Sequence, residues 1–161
     1  MPHQVIKASA FGSIGDLAKI TGVVKELELN ILAIGGGEAV IQTGEVGVIA
    51  MLIEPDDEGT TATLVDALRN LVLDDATDRH LADVEVLPNI HIELSNDIGE
   101  LNRAAVAIDD INIRAIVFLG DLLGESHVAL GFAEGDVDEA ERRLKDAEIK
   151  IVPHDEEGQS A

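Results

Sequence analysis

The sequence contains no cysteine, and this absence removes several classes of chemistry at once. Disulfides, thiolate zinc sites, iron–sulfur clusters and cysteine nucleophiles all require that side chain. Long apolar stretches of the kind that span a membrane are also missing, and the N-terminus has no basic, apolar leader. We therefore expect a cytoplasmic protein that neither spans nor binds a membrane.

Aromatic and basic residues are scarce. Trp and Tyr are absent, and aromatic residues make up 2% of the chain, so the stacking surfaces that bases, sugars and flavins use are lacking. Only 11 basic residues stand against 32 acidic ones, which gives a formal net charge of −21. Such a field repels phosphate backbones and anionic lipids, and we expect no nucleic-acid partner.

The acidic excess has two interpretations, and the sequence leaves both open. It is typical of a well-solvated cytosolic protein. It is also typical of a protein adapted to high salt, where ions screen the repulsion between like charges.

One segment, residues 90–119, contains a complete strand–turn–helix–strand pattern. Apolar residues alternate from Ile90 to Leu94, and the turn NDIG follows. Asp97 is placed to cap a helix, with Glu100 completing a capping box. Leu101, Ala105 and Ile108 are spaced as the buried stripe of that helix. After Asn112, alternation resumes up to Leu119, which predicts the next strand.

The first half of the chain repeats this pattern. GSIGD at 12–16 repeats the turn, with Ser13 as the expected cap, and Asn30-Ile31 corresponds to Asn112-Ile113. The two copies are offset by 84 residues at the glycines and by 82 at the asparagines, as an internal repeat requires. Gly35–Gly37 are expected to break or bulge the second strand, and residues 74–80 are expected to form a polar loop.

Each half therefore reads βαββαβ, and we predict an α+β fold of two tandem ferredoxin-like domains. In each, two helices cover one face of a four-stranded antiparallel sheet. The predicted boundaries are 1–88 for the first domain, 89–154 for the second and 155–161 for a disordered acidic tail.

The turn and the Asn-Ile pair resemble those of the ACT domain, the amino-acid-sensing module of metabolic enzymes and regulators. Its pattern is a strand, Asn/Asp-x-Pro-Gly, a leucine-led helix and Asn-Ile; the matching pieces here are NDIGEL at 96–101 and DDINI at 109–113. Ile98 stands where the family usually has proline, and the first copy also lacks the acidic or amide residue before its turn. The resemblance covers nearly the whole chain as a tandem pair, and it implies a regulatory protein with ligand sites at domain or dimer interfaces.

A free amino acid places a carboxylate beside an ammonium, so its receptor needs clustered donors and a separate acceptor. Backbone N–H groups around Gly99, with the helix dipole behind them, suit the carboxylate, and an asparagine amide suits the ammonium. A missing side chain at Gly99 would let the ligand reach the backbone. The predicted ligand-binding residues are Asn96, Asp97, Ile98, Gly99, Asn112 and Ile113 in the second copy, and Ser13, Ile14, Gly15, Asn30 and Ile31 in the first.

Other chemistry has little support. His91 and His127 fall on neighbouring strands, on the face away from the helices, where they could bind a metal or sense pH; we expect an exposed or interface pair and no metal site. No catalytic triad or nucleotide loop occurs, so we predict no enzyme activity and no cofactor. An RNA-binding βαββαβ domain is excluded by charge and by the missing strand aromatics. The alternative function is a subunit that regulates a metabolic enzyme through protein contacts, without sensing a ligand.

Apolar residues on both faces of the predicted strands indicate self-association. Ile49, Met51 and Ile53 are expected to point away from the helices, together with Leu32 and Ile34 in the first copy and Ile116 and Phe118 in the second. Exposing this set would cost several kcal/mol, at about 1.5–3 kcal/mol for each large side chain. We therefore expect a homodimer.

Overall fold

The computed structural model describes residues 3–11, 15–41, 44–54, 58–95, 97–122 and 125–153. Over these residues the chain divides into two compact units, one spanning His3–Val86 and one beginning at Leu87. Ser13, Ile14, Asn96 and the predicted acidic tail lie outside the described residues. No helix in the described ranges is both long and apolar enough to cross a membrane.

The first unit has the predicted βαββαβ order with one added hairpin. Its elements are β1 (Gln4–Phe11), α1 (Asp16–Glu26), β2 (Asn30–Ile41), β3 (Gly44–Glu54), α2 (Glu58–Asn70), β4 (Val72–Asp74), β5 (Arg79–His80) and β6 (Ala82–Leu87). The main sheet has the order β2-β3-β1-β6, which leaves β2 at one edge. Its core packs Ile20 and Val24 of α1 and Leu64 and Leu68 of α2 onto the sheet.

The second unit repeats the order without the hairpin. Its elements are β7 (Asn89–Ser95), α3 (Glu100–Ala107), β8 (Ala115–Leu122), β9 (Glu125–Gly131), α4 (Val137–Asp146) and β10 (Lys150–Ile151). The sheet order β8-β9-β7-β10 matches that of the first unit strand for strand. The two ferredoxin-like α+β domains predicted from the sequence are therefore confirmed.

Two local predictions in the first unit were wrong. The three glycines do not interrupt β2, which pairs with β3 continuously from Ala33 to Ile41. A Cβ at Gly36 would lie 2.9 Å from the carbonyl oxygen of Val48, so the glycine permits close strand approach. The expected polar loop is instead part of the β4–β5 hairpin, whose turn is held by Asp74: its carboxylate accepts bonds from the Ala76 N–H and the Thr77 hydroxyl.

The predicted strand faces in the first unit were reversed. Ile49, Met51 and Ile53 lie in the core beneath the helices, and do not point away from them. In β2 the bulge between Ile31 and Ala33 explains the error at Ile34, because an extra residue shifts the alternation of every later side chain of that strand. Ile34 pairs with Met51 and therefore lies on the helix side of the sheet, at its edge.

The same error affected the second unit. Ile116 pairs with Leu130 and Phe118 with Val128, and both partners belong to the core beneath the helices. Ile116 and Phe118 are therefore on the helix side of edge strand β8, and both remain exposed. Within α3 the buried stripe is Ala104 and Ile108, whereas Leu101 and Ala105 are exposed.

Candidate functional site

The turn before α3 is built around a left-handed glycine. Gly99 has φ 92° and is the N-cap of the helix, which begins at Glu100 with no side-chain cap. The predicted capping box is therefore wrong: Asp97 lies two residues before the cap, and its carboxylate accepts a hydrogen bond from the Ser95 hydroxyl at 3.0 Å. A positive φ is a conformation that only glycine adopts at low cost, which explains Gly99 without any ligand.

A cavity of about 360 Å³ opens beside this turn. Its volume lies within the range of small-molecule sites, at the lower end. One part of its wall is apolar, another is polar, and the turn backbone joins them. The lining residues are Leu94, Leu101, Phe118 and Val128, then Ser95, Asp97, Asn102 and Ser126, and the turn with Gly99 and Glu100. Asp97 and Gly99 of the predicted set thus lie at this cavity, and Ile98 is fully exposed beside them.

Charge on the cavity wall is distributed unevenly. Both oxygens of Glu100 accept bonds from Arg103, at 2.8 and 3.2 Å, and this carboxylate raises the pKa of the Arg103 guanidinium above its usual value. Arg103 also donates to the carbonyl of Ala147, which holds it toward α4. The negative charge of Glu100 is therefore offset, whereas Asp97 accepts its hydrogen bond from the neutral hydroxyl of Ser95. A ligand ammonium would find its counter-charge at Asp97.

The backbone N–H donors of the cavity come from the start of α3. The first N–H groups of a helix have no partner within it, and the helix dipole places partial positive charge there. Leu101 and Asn102, which line the cavity, lie in this first turn of α3. The arrangement therefore combines anion donors, one carboxylate acceptor and an apolar wall within a single hollow.

Asn112 and Ile113 do not belong to this cavity. They line a second hollow of about 400 Å³ at the other end of α3, with Asp109 and Asp110. An eight-residue helix is about 12 Å long, so it separates the two hollows within the unit. Ile113 also packs against the core, and Asp110 accepts bonds from Arg143. The structure thus divides the predicted second-copy set between two places.

In the first copy the corresponding turn has a different partner. Gly15 has φ 89° and caps α1 as Gly99 caps α3. The next residue, Asp16, is buried and forms two hydrogen bonds with Arg79 of β5, at 2.7 and 3.0 Å. The hairpin therefore holds a guanidinium against the start of α1. Asn30 is exposed at the start of β2, and Ile31 packs on the core.

Two exposed apolar positions recur in both copies. Leu17 on α1 is 45% exposed and Leu101 on α3 is 46% exposed, and the edge-strand residues Ile34 and Ile116 are exposed to a similar degree. Phe118 adds the largest of these side chains, 58% exposed at the cavity rim. Exposed apolar patches of this kind mark interaction surfaces.

A third group of residues lies on the other face of the second sheet. The predicted orientation of the histidines is borne out: His91 Nε2 lies 3.1 Å from His127 Nδ1, and their strands run side by side. Glu93 and Glu125 lie next to His127, and the three side chains bring one ligand atom each within 4.8 Å of one another. The sequence analysis missed both glutamates, because only the β7–β9 register places them there.

No protein-family model matches this chain, and no curated protein is detectably similar to it in sequence. Solved structures do share its fold. Protein BT0572 from Bacteroides thetaiotaomicron superimposes with a TM-score of 0.61 at 15% identity, over 94% of this chain and 92% of that one. The ligand-free regulatory subunit of aspartate kinase from Thermus thermophilus has a TM-score of 0.55 at 14% identity, with 91% and 92% covered.

A larger enzyme contains the same fold as one part. Aspartate kinase from Clostridium acetobutylicum, described as an allosteric enzyme, has a TM-score of 0.54 at 14% identity over 91% of this chain and 33% of its own. At these identities the likeness concerns the fold. The tandem ferredoxin-like fold expected from the sequence is the fold that these structures share.

Proposed function

We propose that the second unit binds a free amino acid in the cavity beside Gly99, and that the protein regulates an enzyme or regulator of amino-acid metabolism in response. The observation that carries this proposal is the cavity itself. It combines an acceptor carboxylate, the donor end of a helix and an apolar wall in about 360 Å³. The likeness to an aspartate kinase regulatory subunit supports a regulatory role.

The cavity suggests how the ligand would be oriented. The ammonium group would pair with Asp97, and the carboxylate would accept bonds from the first N–H groups of α3, near Asn102. The side chain would then lie against Leu101 and Phe118, which favours an apolar amino acid over a charged one.

Self-association is part of this proposal. Strand β8 is a sheet edge that carries exposed Ile116 and Phe118 on its helix side, and a second copy of the chain is the occupant we infer for it. The recurrence of exposure at equivalent positions in the two repeats argues for a surface that is used. Because Phe118 also lines the cavity, a partner covering it would narrow the opening, and ligand binding would be coupled to dimer formation.

Calorimetric titration with a mixed set of free amino acids tests the binding site. Asp97→Asn should weaken binding at least tenfold, because it removes the counter-charge of the ammonium. Asp109→Asn is the matched control, since Asp109 is also exposed but lines the other hollow. Equal affinity of the two variants would refute the assignment of the site.

Light scattering coupled to size exclusion tests the dimer. The expected mass is twice the 17.0 kDa of the chain. Ile116→Lys should shift the protein toward the monomer, and Val106→Lys, at an exposed apolar position on α3, should not. A dilute wild-type sample that stays at 17.0 kDa would rule out this part of the proposal.

The alternative is a regulatory subunit that acts through protein contacts alone. The exposed apolar edge at Ile116 and Phe118 favours it, because that surface needs no ligand to bind a partner. The titration separates the two functions: no heat from any amino acid, with a metabolic enzyme recovered in a pull-down that Ile116→Lys abolishes, would favour the contact subunit.

A further inference from the structure

The group on the face of the second sheet away from the helices is arranged by strand pairing. His127 of β9 lies directly opposite Glu93 of β7, and Glu125 is two residues before His127 on the same strand. Residues two apart on a strand share a face, so all three side chains project from the same side of the sheet. This is the side opposite the core residues Ile92 and Leu94.

We propose that Glu93, Glu125 and His127 form a binding site for a divalent transition-metal ion such as Zn²⁺. One imidazole and two carboxylates are a donor set that Zn²⁺ and its neighbours in the first transition series accept, with open positions left for water or another ligand. The site lies on the sheet face away from α3, apart from the amino-acid cavity, and the proposal does not depend on that cavity.

The distances between the ligand atoms fit a site whose side chains move inward when the ion binds. Three donor atoms bound to Zn²⁺ at about 2.1 Å are about 3.4 Å apart in tetrahedral geometry. Here one imidazole nitrogen of His127 and one oxygen of each glutamate lie within 4.8 Å of one another. Glu125 is exposed and Glu93 half-buried, so a rotation of the Glu125 side chain can bring its oxygen toward the other two.

His91 is the hydrogen-bond partner that orients the ring of His127. It is buried, with 8% of its surface exposed, and its Nε2 lies 3.1 Å from Nδ1 of His127. A histidine that binds metal through one nitrogen usually shares a hydrogen bond through the other, which sets its tautomer and ring orientation. With Nδ1 of His127 directed at His91, its Nε2 is the nitrogen left for an ion.

Lys150 balances the charge when no metal is bound. Its ammonium donates a hydrogen bond to one oxygen of Glu93 at 2.6 Å. Lys150 is largely exposed and on a flexible stem, so it can withdraw when a divalent ion arrives.

The test is calorimetric titration of the full-length protein, stripped with chelator, with Zn²⁺ in about 0.15 M salt, where the Debye length is about 8 Å. Wild type should bind one Zn²⁺ per chain, and excess Mg²⁺ should not displace it. Glu125→Gln and His127→Gln should each weaken binding at least tenfold. His80→Gln should not, although His80 also lies beside a carboxylate, that of Asp78 at 3.2 Å.

Co²⁺ titration followed by visible absorption gives a second measurement, because the spectrum reports the donor set directly. The Glu125→Gln change is isosteric and exposed, so it keeps the test valid if the His127 variant fails to fold. Binding without one-to-one stoichiometry, or equal affinity of Glu125→Gln and wild type, would overturn the proposed site.

Discussion

Replacing Arg79 by methionine should destabilise the first unit by about 2–3 kcal/mol. The guanidinium makes two charge-assisted hydrogen bonds to Asp16, at 2.7 and 3.0 Å, and Asp16 is 1% exposed. Methionine keeps the apolar stem of Arg79 but leaves a carboxylate buried without its counter-charge. Breaking a buried pair in this way costs about 3–5 kcal/mol. The loss expected here is at or below the lower end of that range, because the Arg79 side chain is 29% exposed and water can partly replace the guanidinium.

Urea unfolding followed by far-UV circular dichroism measures this loss, since the chain has no Trp or Tyr to report by fluorescence. With an m-value of about 1.5 kcal/mol/M, the first-unit midpoint should fall by about 1.3–2 M. Lys25→Met is the matched control: it removes one positive charge from an exposed position on α1 and should cost less than about 1 kcal/mol.

A double-mutant cycle separates the pair from the other effects of each change. Asp16→Asn combined with Arg79→Met should cost less than the sum of the single variants, with a coupling of at least about 1 kcal/mol. A coupling near zero, or equal losses for Arg79→Met and Lys25→Met, would show that the ion pair does not hold the hairpin to α1.

Three further predictions follow from the turn, a helix and the net charge. Gly99→Ala should lower the free energy of unfolding by about 1–2 kcal/mol because of the positive φ, whereas Gly135→Ala, also in open space, should change it little; equal urea midpoints would refute this. Hydrogen bonds from Arg142 and Arg143 lower the pKa of Glu139 from 4.5 to about 2. The stabilisation that these bonds give the folded state is therefore complete above the unfolded pKa of 4.5, and it is lost as the pH falls through the folded pKa of about 2. The gap in urea midpoint between wild type and Glu139→Gln should therefore shrink with acidification, and a constant gap would contradict it. Finally, the melting temperature should rise as salt increases from about 0.01 to 1 M, because the Debye length falls from about 30 to 3 Å and the 32 acidic residues are screened from one another. A melting temperature that does not change with salt would show that the acidic residues are too far apart for their repulsion to matter.

The Gly99 result changes how the turn can be probed. If Gly99 had ordinary helical angles, Gly99→Val would block the approach of a ligand to the backbone with little loss of stability. It has φ 92°, so any side chain there strains the backbone before a ligand is considered. Asp97→Asn is the cleaner test, because Asp97 lies on the cavity wall and does not cap the helix.

Local sequence determined the order of elements in this protein. Strand alternation, helical stripes and the recurring glycine turns are read within about ten residues, so the two βαββαβ repeats were evident from the residues alone. The buried stripe of α4, with Ala140 and Leu144, has the same local helical spacing. The starts of the helices were harder to predict from the sequence, because Gly15 and Gly99 occupy the N-cap positions through their backbone conformation and not through a side-chain hydrogen bond.

Only the tertiary structure decided which residues meet. A bulge at Ile31–Ala33 reverses the faces of a strand that is otherwise read correctly, and no local pattern reports it. The pairing of β7 with β9 brings Glu93 to His127 across more than thirty residues of chain, and the β4–β5 hairpin brings Arg79 to Asp16 across 63. Such contacts depend on register and on the path of the chain between the elements. Local periodicity determines which helices and strands form, and the packing of distant segments determines which residues make up each site.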